Sequence, residues 1–142
     1  VQIYTDYGKG FSEDDSFFID EVYDWNGEIE FSVQIDSKAC KLRIDPYMDY
    51  CMTEIKEISL NDEVLNLTDN KRVYVNGRKL ASGNTDGGVT AVFYYNDPNI
   101  VIEVKDKVRS TGNKLHVRMK TTETGAEITE ALKKELSKRI RL

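Results

Sequence analysis

Alternation of apolar and polar residues, in run after run, constrains this chain more than any other feature. Ile29, Phe31, Val33 and Ile35 point one way and Glu28, Glu30, Ser32 and Gln34 the other. Successive strand side chains leave opposite faces, so the run predicts a strand with one buried face. Cys40, Leu42 and Ile44 repeat the pattern with Lys41 and Arg43 outward. Val73 and Val75 follow, then Val89, Ala91, Phe93 and Tyr95, then Ile100, Ile102 and Val104. Leu115, Val117 and Met119 complete the set, with His116, Arg118 and Lys120 on the polar side. Residues 53–60 depart from the rule, because Ile55 and Ile58 have opposite parity. A β-bulge near Glu57 returns both to the core; the alternative is a strand with both faces partly covered.

Turn chemistry punctuates these runs. Asn76-Gly77, between Val73/Val75 and residues 78–80, predicts a hairpin, since both residue types tolerate positive φ. Trp25-Asn26-Gly27 predicts a second such turn. Residues 82–88 read as a flexible loop, and Asn96-Asp97-Pro98-Asn99 as a tight turn between two strands. Pro46 ends the strand before it, having no N–H for a ladder. Short strands so spaced predict an all-β fold: an antiparallel, jelly-roll-like β-sandwich over residues 1–124. Only the end is helical. Ile128, Leu132, Leu136 and Ile140 recur every four residues behind a Thr124/Glu127 capping box. They predict one C-terminal α-helix over 125–142, which either docks on the sandwich or starts a linker or coiled coil.

A chain of 142 residues suits one domain, large enough to hide about 70% of its unfolded surface without a disulfide or metal staple. Its 39% hydrophobic and 32% charged residues argue against disorder. No apolar run nears the ~20 residues of a membrane span, and no basic segment precedes an apolar one as in a signal peptide. The sequence opens at Val1 and ends inside a helical pattern, so a longer parent protein is expected on at least one side. The net charge of −5 is unevenly spread: up to Glu30 the only base is Lys9, against acids from Asp6 onward. An acidic front repels phosphate backbones, so nucleic acid is not an expected partner. Lys133, Lys134, Lys138, Arg139 and Arg141 are read as a solvated helix face rather than a contact for an anionic surface.

Catalytic chemistry is hard to assemble from these residues. The two cysteines, Cys40 and Cys51, are not spaced as CxxC, and with one histidine no ordinary zinc set forms. Cys40 shares parity with Leu42 and Ile44 and is expected as a buried thiol. A Cys40–Cys51 disulfide is the alternative, unusual in a cytosolic protein. A Ser-His-Asp or Cys-His arrangement would depend on His116 alone, on the polar side of a strand. Gly8-Lys9-Gly10 lacks the phosphate-loop pattern. No catalytic residue, metal or cofactor is therefore expected. Glu13, Asp14, Asp15, Asp20 and Glu21 could offer oxygens to a structural calcium near Asp14 and Asp15, but Phe17-Phe18-Ile19 interrupts them and a solvated sheet edge is the simpler reading.

Aromatic residues are the remaining candidates. Sugar rings present apolar C–H faces that stack on flat side chains, while amides and carboxylates take the hydroxyls. Trp25 and Asn26, beside Asp24 in a predicted turn, and Tyr47 and Tyr50, on the loop after Pro46 with Asp49 between them, are the candidate ligand-binding residues. The competing reading has Trp25 folded onto the core and the tyrosines covering a sandwich edge.

The stretch Ile3-Tyr4-Thr5-Asp6-Tyr7-Gly8-Lys9-Gly10-Phe11-Ser12-Glu13 resembles the opening of a β-sandwich accessory domain. Such domains are attached to bacterial glycosyltransferases, including rhamnan-synthesis-type proteins, that build cell-surface polysaccharides. Leu42-Arg43-Ile44-Asp45-Pro46, followed by Ile55, Ile58 and Leu60, is similar to a later stretch of that domain. Phe93-Tyr94-Tyr95-Asn96-Asp97-Pro98-Asn99-Ile100 is similar to another, and the three occur in the same order. The resemblance implies a non-catalytic module of a cytoplasmic enzyme of envelope glycan assembly. Its partner would be a glycan acceptor or the adjacent catalytic domain. No ligand site comes with it, so Asp6, Asp45 and Asp97 are expected as turn and strand-end formers that accept from nearby backbone N–H groups. The expected function is an accessory module that binds carbohydrate or positions an acceptor. The alternative is a structural module that packs on a catalytic domain or forms oligomers through the C-terminal helix.

Overall fold

The structure, a computed structural model, describes residues 1–20, 27–81 and 88–140, with Ala81, Thr129, Leu132 and 136–140 described by backbone alone. In chain order the strands are β1 (Gln2–Asp6), β2 (Ser16–Phe18), β3 (Glu28–Ile35), β4 (Lys41–Asp45), β5 (Cys51–Leu60), β6 (Glu63–Val64), β7 (Val73–Val75), β8 (Arg78–Ala81), β9 (Val89–Val92), β10 (Ile100–Glu103) and β11 (Asn113–Glu123). They form two antiparallel sheets. The first has the order β2-β1-β4-β10-β7; the second has β3-β11-β5-β9-β8, with β6 added to β5. Only β1–β2, β5–β6 and β8–β9 are consecutive strands of one sheet. Every other connection crosses between the layers.

The alternating runs explain why the layers stack. Ile3, Leu42, Ile44, Ile100 and Ile102 of the first sheet share one core with Ile29, Ile55, Ile58, Leu115, Val117 and Met119 of the second. Each such aliphatic side chain contributes about 1.5–3 kcal/mol by leaving water. The bulge in β5 is present. Across β11, Arg118 faces Glu57 and Met119 faces Ile55, so Lys56 is the extra residue. Ile55 and Ile58 are both fully buried as a result. Lys56 donates to Glu28 at 3.0 Å.

Three expectations are corrected. Asn76-Gly77 makes no hairpin: β7 and β8 belong to different sheets, and neither residue has positive φ. Gly77 is required instead by a close approach, because a Cβ there would lie 2.1 Å from the Val92 carbonyl oxygen. Asn76 clasps the β9–β10 connection. Its Nδ2 donates to the Asp97 carbonyl at 2.7 Å, and its Oδ1 accepts from the Asn99 N–H at 2.9 Å. The left-handed two-residue turn is Asn61-Asp62, with φ of 54 and 66, between β5 and β6. The run expected to reach Tyr95 stops at Val92. Phe93 is still buried, but the chain then leaves β5 for the other sheet and Tyr95 is 57% exposed. Cys40 precedes β4 and is half-buried, whereas Cys51 is the fully buried thiol; both are free. Burial pushes the Cys51 thiol up to about 11, which makes it inert at neutral pH.

The close approach at Gly77 makes a testable statement. Gly77→Ala forces a backbone shift at the crossing of β8 and β9 and is expected to cost about 2 kcal/mol. In urea denaturation the midpoint should fall at constant slope. An unchanged midpoint would show that the Val92 backbone gives way freely.

α1 (Ala126–Ile140) follows β11. Every side chain described in it is exposed, Ile128 to 57%. The remaining stripe residues Leu132, Leu136 and Ile140 lie outside the described side chains. No described helix is long and apolar enough to cross a membrane.

Candidate functional site

Register brings polar side chains of distant segments together on the outer face of the first sheet. Gln2 of β1 lies opposite Phe18 of β2 and Asp45 of β4, and Tyr4 lies opposite Ser16 and Arg43. They face outward because Ile3 and Ile44 beside them point into the core. Ser12 caps a single 3-10 turn, Glu13–Asp15, and so places Glu13 over this face. The Glu13 carboxylate accepts from the Tyr4 hydroxyl at 2.7 Å and from Gln2 Nε2 at 3.0 Å. Arg43 forks onto Asp45, with Nε to Oδ1 at 2.8 Å and a terminal nitrogen to Oδ2 at 2.9 Å. Its guanidinium carbon lies 4.0 Å from the Tyr4 ring centre, a cation–π stack.

The electrostatics follow from that packing. Burial, helped by the bond to Glu13, pushes the Tyr4 phenol up to about 12. The bonds from Tyr4 and Gln2 hold the Glu13 carboxyl below its ordinary range. Burial pushes the Asp45 carboxyl above its ordinary range, against the pull of the Arg43 fork.

These residues floor a cleft of about 690 Å³, a size suited to a small ligand or a few sugar rings. Its rim is apolar and acidic by turns. Phe18, 73% exposed, and Met48, 87% exposed, flank it with Pro46 and Tyr47. Asp97 enters from the β9–β10 connection, and Thr121 and Glu123 from the end of β11. The cleft thus joins the face of one sheet to the last strand of the other. No family model, curated protein or solved structure matches the chain.

Of the two candidate ligand-binding residues that are described, Tyr47 is brought to this cleft and Tyr50 is not. Burial, followed by the charge of the nearby Glu123 carboxylate, raises the Tyr47 phenol above the ordinary value. Tyr50 is half-buried before β5, where its carbonyl accepts from the Thr124 N–H at 3.0 Å, and it does not line the cleft. Trp25 and Asn26 lie outside the described residues. The three aspartates differ in role. Asp6 accepts from the Gly8 and Gly10 N–H groups at 2.7 and 2.9 Å, as expected of a turn former. Asp45 does not: it sits on the outer face of β4, where Arg43 claims both oxygens. Asp97 contributes its backbone carbonyl to Asn76 and Asn99, and its side chain to the cleft.

Gln2, Tyr4, Phe18, Arg43, Asp45, Asp97 and Glu123 were not among the sequence candidates, and Glu13 was weighed there only as an oxygen for calcium. Arg43 and Asp45 carry one legible signal, an opposite-charge pair two residues apart on one strand face. Among the described residues no three His, Cys, Asp or Glu side chains converge as metal ligands.

A second cluster lies on the outer face of the other sheet. β3–β11 register sets His116 against Ser32. Its Nδ1 is 2.7 Å from Ser32 Oγ and its Nε2 is 3.0 Å from Glu30 Oε1. Hydroxyl, imidazole and carboxylate in a row suggest acyl transfer. However, the adjoining hollow is lined by Glu57, Ser59, Asp62, Val64, Lys114 and His116, without Ser32. A carbonyl held there would not face the hydroxyl, so the geometry required of a nucleophile is unmet.

Proposed function

We propose that the domain is a non-catalytic binding module that seats a carbohydrate in the Tyr4–Tyr47 cleft. In its parent protein it would position a glycan acceptor for a polysaccharide-building glycosyltransferase. One observation carries this reading: the exposed ring of Phe18 and the half-buried ring of Tyr47 border the same cleft as the amide of Gln2 and the carboxylates of Glu13, Asp97 and Glu123. A sugar ring needs that pairing, with its C–H face on the aromatic and its hydroxyls on the polar groups. All three sequence stretches that resemble the glycosyltransferase-associated domain supply cleft residues. Tyr4 and Glu13 come from the first, Arg43, Asp45 and Pro46 from the second, and Asp97 from the third. That convergence supports the reading independently of any single motif.

Titration with short oligosaccharides, followed residue by residue in NMR spectra, tests it. Dissociation constants near ~1 mM are expected, with shifts confined to the cleft. Tyr47→Ala should weaken binding about fivefold, the worth of one stacking contact, and Tyr50→Ala should leave it unchanged. Unmoved cleft resonances at millimolar sugar would remove the proposal. A second reading, a purely structural interaction module, draws on the exposed Ile128 at the start of α1. It parts from the first at this titration, because it leaves the cleft silent.

A further inference from the structure

The charge of the cleft says which glycans it takes, and this step rests on the carbohydrate reading above. Its ionisable side chains are unequal in sign. Among the described residues Glu13, Asp45, Asp97 and Glu123 line it, against Arg43 as the one basic side chain and the Val1 α-amino group, which lies close to Asp45. Arg43 is already committed. Its fork closes on Asp45 and its face lies on the Tyr4 ring, so it presents little to an incoming anion. Glu13 is oriented by two donors, Tyr4 and Gln2, that bind its charged form. Asp97 and Glu123 are exposed at the rim.

We infer that the cleft selects glycans carrying a protonated amine over their neutral counterparts, and turns away anionic sugars and the pyrophosphate of nucleotide-activated donors. Carboxylates beside an aromatic plane attract an ammonium while the ring stacks, and they repel a phosphate or uronate in the same place. A module of this kind engages the acceptor side of a transferase and leaves the activated donor to the catalytic domain.

The test uses the chain as it is, near pH 6, with a glucosamine oligomer, the fully N-acetylated oligomer of equal length, an oligouronate, a nucleoside diphosphate and a lysine oligomer. The amine-bearing sugar is expected to bind at least about fivefold more tightly than the acetylated one. The advantage should shrink in ~0.5 M salt, where surface charges are screened. It should be lost in Asp97→Asn/Glu123→Gln, which alters two exposed side chains and leaves the core intact. The uronate and the diphosphate should leave the cleft resonances in place. Equal binding of both neutral and amine sugars overturns the inference and leaves the carbohydrate reading standing. Cleft binding of the lysine oligomer as tight as that of the amine sugar overturns it as well, since charge alone would then suffice. Silence of the cleft toward every sugar removes both.

Discussion

Deleting Glu54 is expected to unfold the domain, whereas deleting Lys56, two residues away, is expected to leave it folded. β5 runs between β11 and β9 in the second sheet, and Lys56 is the residue that its pairing with β11 skips. Without Lys56, Ile55 and Ile58 stand two positions apart and keep facing inward along a regular strand. What goes is the Lys56–Glu28 contact at 3.0 Å, a surface pair worth under about 1 kcal/mol. Without Glu54 no register is satisfactory. If the bulge is spent to absorb the gap, Lys56 turns into the core and Ile55 turns out. If the bulge is kept, Thr53 and Cys51 turn out and Met52 turns in. Ile55, Thr53 and Cys51 are all fully buried in the native domain. Losing one buried isoleucine costs about 2–5 kcal/mol, and burying an ammonium adds several more. The sum is on the order of the whole stability of a typical domain. Thermal melts and the dispersion of amide resonances would separate the two deletions. Melting points within a few degrees of each other would show that the bulge is not what aligns β5.

The bulge was legible in the sequence because parity is a local property: Ile55 and Ile58 announce it without reference to any other strand. The misreading at Asn76-Gly77 has the opposite cause. Its residue types suit a tight turn, but Gly77 is there because the Val92 carbonyl passes within 2.1 Å of where a Cβ would stand. That neighbour is set by which strand crosses to which sheet, and no local pattern encodes it. Tyr95 shows the same limit, since its alternation continues after the chain has left the sheet. The cleft divides along this line. Tyr47 could be singled out as an aromatic beyond a strand-ending proline. Gln2, Tyr4 and Glu13 become site residues only because β1 pairs with β4, which puts Gln2 opposite Asp45 and Tyr4 opposite Arg43. The β1–β4 pairing is a long-range choice made by the core, and the outer face inherits it.

Arg43→Met is expected to lower stability by about 3 kcal/mol, the range for breaking one half of a partly buried ion pair, and the melting temperature by about 10 °C. The methionine keeps an unbranched chain of similar length but loses the guanidinium that forks onto Asp45 and lies over Tyr4, so the loss is mainly electrostatic. Asp45 keeps a largely buried carboxylate and loses both of its fork bonds. Asp45→Asn in the same chain should recover most of the loss, because a neutral amide needs no counter-charge. The pH dependence has a definite sign. Burial already holds the Asp45 carboxyl above its ordinary range, and removing Arg43 raises it further. A carboxyl raised by folding weakens the fold as pH climbs from the unfolded value to the folded one, and adds no further penalty above that. The deficit of Arg43→Met should therefore be full at pH 7 and shrink as the pH falls toward about 4, where Asp45 becomes protonated. A deficit that stays constant across this window, or no recovery with Asp45→Asn, would mean that Arg43 acts by stacking its guanidinium on the Tyr4 ring, 4.0 Å away, and the Phe11 ring, 5.7 Å away, rather than by neutralising Asp45. The floor of the cleft would then be held by the stack of the Arg43 guanidinium on Tyr4 rather than by the fork.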